Sequence, residues 1–357
     1  MIPFCNISLD KENIVAMVEA LNPPFYCSDL KSKELGERVA NFVGRKYAVV
    51  FDNSFLAFIG ILKALKLEKN DEVVISPMSL HLNVSYVLEY MGLVPAYADV
   101  ERWFFTIDPK RLGNVISEKT KALIVPNSLG VVADFDSILE VTQKHGIPIV
   151  EDSRETFGSV YKNRRAGAFG DVSIIEFSET SFVSGKCSVV LTDDKSIYEY
   201  LTKFRQLIGS NDSLNASLTL SYFKDFNIKN QKLENIASFY EKNLSPIEGI
   251  KCQYFPEYIK EKYWNYFAIH LGKRYPQEAR DIIVNLLIDD GIEVKPYPTS
   301  IDITLGRPLP HLHIAHDVSQ RAILLPFHEG LDDEDLQFIV DRVKEHVVQV
   351  GAGSRDH

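Results

Sequence analysis

The chain has 357 residues, of which 45% are hydrophobic and 25% charged, and its formal net charge is −10. A chain of that length exceeds one ordinary core and predicts a large domain with a smaller one, in a globular protein of common composition. The acidic balance argues against a general nucleic-acid or anionic-membrane surface and leaves small ligands open.

Cys5, Cys27, Cys187 and Cys252 are scattered and form no Cys-x-x-Cys pair, so free thiols are expected rather than a zinc site or a disulfide framework. No stretch approaches the ~20 apolar residues of a membrane span. The start, Met1-Ile2-Pro3-Phe4-Cys5, lacks a basic region followed by an apolar run, and a cytoplasmic protein is expected.

Ile14, Val15, Val18 and Leu21 recur at helical spacing over residues 11–21, and Asn22-Pro23-Pro24 stops that helix. A second amphipathic helix over 35–42 leads to Gly44, and Ala48-Val49-Val50-Phe51 suits a buried strand. Asp52-Asn53-Ser54-Phe55 then opens a helix that runs to Leu67. A strand, a tight turn and a helix start can bind phosphate when small residues let backbone N–H groups approach the anion. Here Phe55 adds bulk and Asp52 adds charge, and the competing reading is that Asp52, Asn53 or Ser54 caps the helix.

Strand signals recur at 71–77, 94–100, 122–126 and 147–150, with a helix at 136–145. Strands apolar along their length, alternating with helices, predict an α/β fold whose mostly parallel sheet is sandwiched by helices. Ligands in such sheets sit beyond the carboxyl ends of the strands. Glu151-Asp152-Ser153-Arg154-Glu155 follows one such end. A long polar helix spans 223–244, and Glu248-Gly249-Ile250 begins a second unit, in which a strand at 264–269, a helix at 279–290, a strand at 291–294 and a helix at 332–347 suggest a smaller α+β domain. The expected division is a large domain over 1–245, a small C-terminal domain over 246–350 and a frayed tail over 351–357. His311, His313 and His316 near Arg307 have spacing that could hold a metal, but a polar loop on the substrate side is the preferred reading and no metal is expected.

The stretch from Gly170-Asp171 through Ile175-Glu176-Phe177 to Gly185-Lys186-Cys187-Ser188 resembles the cofactor-anchoring segment of the DegT/StrS-type sugar aminotransferases, which are fold-type I pyridoxal-phosphate enzymes. Asp71 to Pro77, Lys144 to Asp152, Gly291 to Pro298 and Leu325 to Leu331 resemble further framework motifs of that family. The resemblance implies an aspartate-aminotransferase-like fold, a homodimer, pyridoxal or pyridoxamine phosphate as cofactor, and a nucleotide-linked keto-sugar as ligand.

By the same resemblance, Ser54 and Phe55 stand where the family cradles the cofactor phosphate, and His81 where an aromatic residue stacks on the pyridine ring. Asp152 stands where a carboxylate pairs with the ring nitrogen, Glu155 where a glutamine meets the ring hydroxyl, and Glu176 where a serine donates to the phosphate. Asn211 matches a loop that crosses to the partner subunit. The Schiff-base lysine falls on Ser181 or Thr180, and neither carries the amine that imine chemistry requires. Lys186, in the following turn, is a third candidate. Two readings follow. The first is a repurposed or non-catalytic relative with no cofactor, in which Asp152, Arg154 and Glu155 pair internally. The alternative is an enzyme that holds the pyridoxamine form non-covalently over Asp152 and uses His81 as base, in the manner of a 3-dehydratase.

Overall fold

The computed structural model describes residues 1–6, 9–22, 28–81, 83–177, 187–209, 213–276 and 278–353. Its strands are β1 (Tyr47–Phe51), β2 (Glu72–Ile75), β3 (Val94–Tyr97), β4 (Thr120–Pro126), β5 (Ile149–Asp152), β6 (Val160–Tyr161), β7 (Arg164–Arg165), β8 (Val172–Phe177), β9 (Cys187–Thr192), β10 (Ile250–Cys252), β11 (Ile259–Glu261), β12 (Phe267–Leu271), β13 (Lys295–Pro296) and β14 (Ala322–Leu325). Seven of them form one sheet in the order β1-β9-β8-β5-β4-β2-β3. Within it β8, β5, β4, β2 and β3 pair in parallel, and β9 runs against both β1 and β8. This is the mostly parallel α/β architecture expected from the apolar strands.

Parallel pairing places the carboxyl ends of β2, β4, β5 and β8 along one edge, with Asp152 opposite Pro126 on one side and Ile174 on the other. The helix Ser54–Ala64 packs on β1, β8 and β9, burying Ala57, Phe58, Ile59, Ile61 and Leu62. Such a helix can be buried on most of its faces because its sequence is apolar nearly all round. Gly60 leaves room for the next layer: a Cβ there would lie 3.0 Å from the Phe204 ring.

A second sheet, β10-β12-β14-β13, is antiparallel throughout, and the helices Phe226–Leu244, Ala279–Asp289 and Asp333–Gly353 cover it. Several boundaries differ from expectation. The strand expected at 264–269 begins at Phe267, because Asn265 Nδ2 donates to the Glu155 carbonyl at 2.8 Å and holds the lead-in against the segment that follows β5. The strand expected at 291–294 begins at Lys295. Ile292 instead bridges to Ile2, tying the start of the chain to this second unit. The last helix continues past Val347 to Gly353, where a Cβ at Gly351 would lie 3.0 Å from the Tyr275 ring, an approach that favours glycine.

The first helix, Lys11–Ala20, forms as its spacing predicts, but with the other face inward. Asn13 and Ala20 are buried while Ile14, Val15, Val18 and Leu21 are exposed. Asn13 anchors that face, since its amide donates to Ser221 Oγ at 2.8 Å and its carbonyl accepts from Asp10 N. Periodicity locates an apolar stripe without saying what covers it.

Candidate functional site

Beyond the carboxyl end of β5 the chain turns back on itself. Arg154 N donates to Asp152 Oδ1 at 3.3 Å, and the side chain folds the same way, with Nε on Oδ1 and Nη2 on Oδ2, both at 2.7 Å. This is the two-pronged guanidinium–carboxylate geometry, stronger than a single charge-assisted bond. Arg154 is 3% exposed, and its guanidinium lies 5.0 Å from the centroid of Phe58. Burial opposes its charge, but Asp152, Glu176 and Glu155 more than offset that and raise its pKa, so the cation persists.

The second hand of the guanidinium reaches toward β8. Arg154 Nη1 donates to Ser54 Oγ at 3.3 Å and lies 3.6 Å from Glu176 Oε2, while Ser54 Oγ donates to Glu176 Oε1 at 3.2 Å. The Glu176 carboxyl thus sits against the first residue of the helix Ser54–Ala64, where the helix dipole favours negative charge, while burial raises its pKa against the pull of Arg154 and Ser54. Asn53 is the cap of that helix, its side chain accepting from Leu56 N at 3.0 Å, which settles the choice among Asp52, Asn53 and Ser54. Phe55 is half-buried and packs against Tyr90 at 5.8 Å.

His81 lies in the segment before the helix Asn83–Met91. Its Nδ1 is 3.6 Å from Glu176 Oε2, and its buried Nε2 has no hydrogen-bond partner among the described residues. Burial first, and the Arg154 cation next, push its pKa down to about 3. His81 is therefore neutral at physiological pH and a weak proton acceptor, which counts against its use as a general base.

Glu155 is fully engaged by the protein. Oε1 accepts from Leu80 N at 3.1 Å, and Oε2 from Leu129 N at 3.0 Å and from Ser128 Oγ. Burial nevertheless pushes its carboxyl up to about 7, against the pull of the Leu129 and Leu80 amides. Because the folded value lies above the unfolded one, the neutral form's contribution to stability is full below about pH 4.5 and is lost as pH rises through about 7. Urea unfolding of the native chain minus that of Glu155→Gln should isolate this slope. A difference that does not fall across that window would remove Glu155 as its source.

These positions test whether the residues accept a pyridoxal-type cofactor, and they do not. Both oxygens expected to face the ring nitrogen are held by Arg154. A carboxyl and a phenyl ring stand where the phosphate would need neutral donors and open backbone. Both oxygens of Glu155 are taken up by Leu80, Leu129 and Ser128. Among the described residues, a cavity lined by Ser76, His81, Pro126 and Asp152 measures about 20 Å³, room for a single water.

Of the site residues expected from sequence, Ser54, His81, Asp152 and Glu176 come together in one connected group, with Glu155 and Phe55 at its margins. Ser181, Thr180, Lys186 and Asn211 lie outside the described residues. The three histidines near Arg307 diverge: His311 Nε2 meets the Tyr97 carbonyl, His316 Nε2 pairs with Asp302 at 2.7 Å, and His313 faces Asp99 at 3.8 Å. His313 and His316 belong to the helix His313–Ser319 and not to a loop. Two residues escaped sequence reading: Phe58, under the guanidinium, was hidden inside an apolar helix, and Glu151, beside Asp152 but bonded outside this group, carried no signal beyond its place in a strand end.

The order of strands, the reversed β9 and the site at the parallel strands' carboxyl ends define an aspartate-aminotransferase-like fold. The aminotransferase of Psychrobacter cryohalolentis superposes with a TM-score of 0.88 at 18% identity over 98% of this chain and 100% of that one. Helicobacter pylori PseC, an aminotransferase of pseudoaminic acid biosynthesis, gives 0.87 at 22% over 98% and 99%. The chain belongs to the DegT/DnrJ/EryC1/StrS aminotransferase family, whose description matches residues 8–344. Among its relatives, the spore coat polysaccharide biosynthesis protein SpsC of Bacillus subtilis is 24% identical over 382 aligned positions, covering 97% of each chain. The GDP-perosamine synthase of Escherichia coli O157:H7 is 25% identical over 318, covering 84% of this chain and 85% of its own.

Proposed function

We propose that this chain is a repurposed, non-transaminating member of its family, which handles nucleotide sugars in polysaccharide biosynthesis as a homodimer and without pyridoxal phosphate. The observation that carries this reading is the Asp152–Arg154 pair, both bonds at 2.7 Å, which uses up the carboxylate a pyridinium would need. The absence of an amine at Ser181 and Thr180 points the same way. The sugar and polysaccharide setting is supported by relatives named for spore coat polysaccharide biosynthesis and GDP-perosamine synthesis. The alternative, a pyridoxamine form held over Asp152 with His81 as base, would require Arg154 to leave its partner.

The test mixes the purified chain with pyridoxal phosphate and records the visible spectrum before and after borohydride. No band that reduction abolishes is expected, and no reduced adduct at a pocket lysine; an adduct mapped to one, Lys186 being the first to inspect, would sink the reading. Calorimetry should find cofactor affinity no tighter than about millimolar, as expected when two charge-assisted bonds are lost. Micromolar affinity would return the pyridoxamine alternative to first place.

Dimerisation is supported by the exposed stripe of Ile14, Val15, Val18 and Leu21, apolar surface of the kind that subunit contacts cover. Sedimentation at micromolar concentration should give twice the chain mass, and a monomer there would end this part of the proposal.

A further inference from the structure

We propose that Arg154 and Glu176 together act as a built-in surrogate for the missing cofactor, the guanidinium standing for the ring cation and the carboxyl for the phosphate. The inference rests on the reading that the chain works without pyridoxal phosphate, and deepens it from absence to replacement. The guanidinium is flat and cationic, pairs through two bonds with Asp152, and lies over the face of Phe58 at 5.0 Å. The Glu176 carboxyl accepts from Ser54 Oγ at the start of an 11-residue helix, a place suited to an anion. Arg154 Nη1 joins the two, 3.3 Å from Ser54 Oγ and 3.6 Å from Glu176 Oε2.

One planar cation and one carboxyl therefore lie along a continuous path from the end of β5 to the helix start. Two separate strand ends supply what a diffusible molecule would otherwise bring. The guanidinium already balances Asp152, but a carboxyl at Glu176 would lack its nearest cation without Arg154. Glu176 makes chemical sense beside Arg154.

The experiment uses the full chain and pyridoxine 5′-phosphate, whose lack of an aldehyde prevents imines with surface lysines. Its fluorescence is titrated with the native chain, Arg154→Ala, Glu176→Ser and the double variant, while circular dichroism follows folding. The double variant is expected to bind about a hundredfold more tightly than the native chain, with each single change giving less than half of that gain on a logarithmic scale. It should also show a ligand-dependent rise in thermal midpoint that the native chain lacks. A folded double variant that binds no better overturns the surrogate and leaves the proposed function standing. Micromolar binding by the native chain overturns both. Should the double variant fail to fold alone, it is refolded with millimolar pyridoxine 5′-phosphate. Recovery of the native circular dichroism supports the surrogate, and no recovery overturns it.

Discussion

Arg154→Met is expected to cost roughly 3–5 kcal/mol of folding stability, the range for removing one partner of a buried ion pair. The loss comes less from the attraction forgone than from the charge left behind. Asp152 is 3% exposed, and without the guanidinium its carboxylate would keep, among the described residues, the Arg154 backbone N–H at 3.3 Å as its donor. Methionine nearly fills the volume and keeps contact with Phe58, so a cavity contributes little. Adding Asp152→Asn should then recover most of the loss, because the neutral amide no longer needs a cation. Urea unfolding of the four chains gives the coupling between the two positions. Additive losses, with no recovery in the double variant, would show that Asp152 finds another partner and that the pair is not what closes the site.

The framework was legible because its physics is local and repeated. Apolar strands alternating with helices fix a covered parallel sheet, and the motif-bearing segments at 71–77 and 149–152 fell on β2 and β5. Asp152, Arg154 and Glu155 could be read as a strand-end cluster from their adjacency alone. What adjacency could not give was direction. Arg154 turns to Asp152 within its own cluster, whereas Glu155 turns away to Leu80 and Leu129, segments about 75 and 26 residues distant in sequence. The joining of Ser54 to Glu176 spans 122 residues and depends on the pairing of β8 with its neighbours. The helix Lys11–Ala20 makes the same point from the other side. Its apolar spacing is plain, yet the face that turns inward packs on the helix Ser213–Tyr222 and carries the Asn13–Ser221 hydrogen bond across 208 residues.

Glu151→Ala should be the most damaging single change near the site, with an expected loss of about 5 kcal/mol or more. Glu151 is fully buried beside Asp152, and its two oxygens gather six donors from four segments. Oε1 accepts from Asn127 Nδ2 at 3.1 Å, Ser153 Oγ at 2.8 Å and Gly167 N at 2.7 Å; Oε2 accepts from Phe169 N at 2.8 Å, Gly170 N at 3.2 Å and Ser173 Oγ at 3.1 Å. Alanine would orphan three backbone N–H groups at once, and a buried donor left unpaired costs roughly 1–3 kcal/mol. Water entering the space could satisfy some of these donors, but not in the geometry that holds the turn over 167–170. That turn is already tight, since a Cβ on Gly170 would lie 2.7 Å from both Glu151 N and Val172 O. It leads directly into β8, which carries Glu176, so its loosening should reach the site. Glu151→Gln keeps one carbonyl oxygen and the shape, and should lose about half as much. Urea unfolding should rank the native chain above glutamine and glutamine above alanine, with amide exchange rising first at Gly167, Phe169 and Gly170. An alanine variant within about 1 kcal/mol of the native chain would mean that the turn is held by strand pairing and not by this carboxylate.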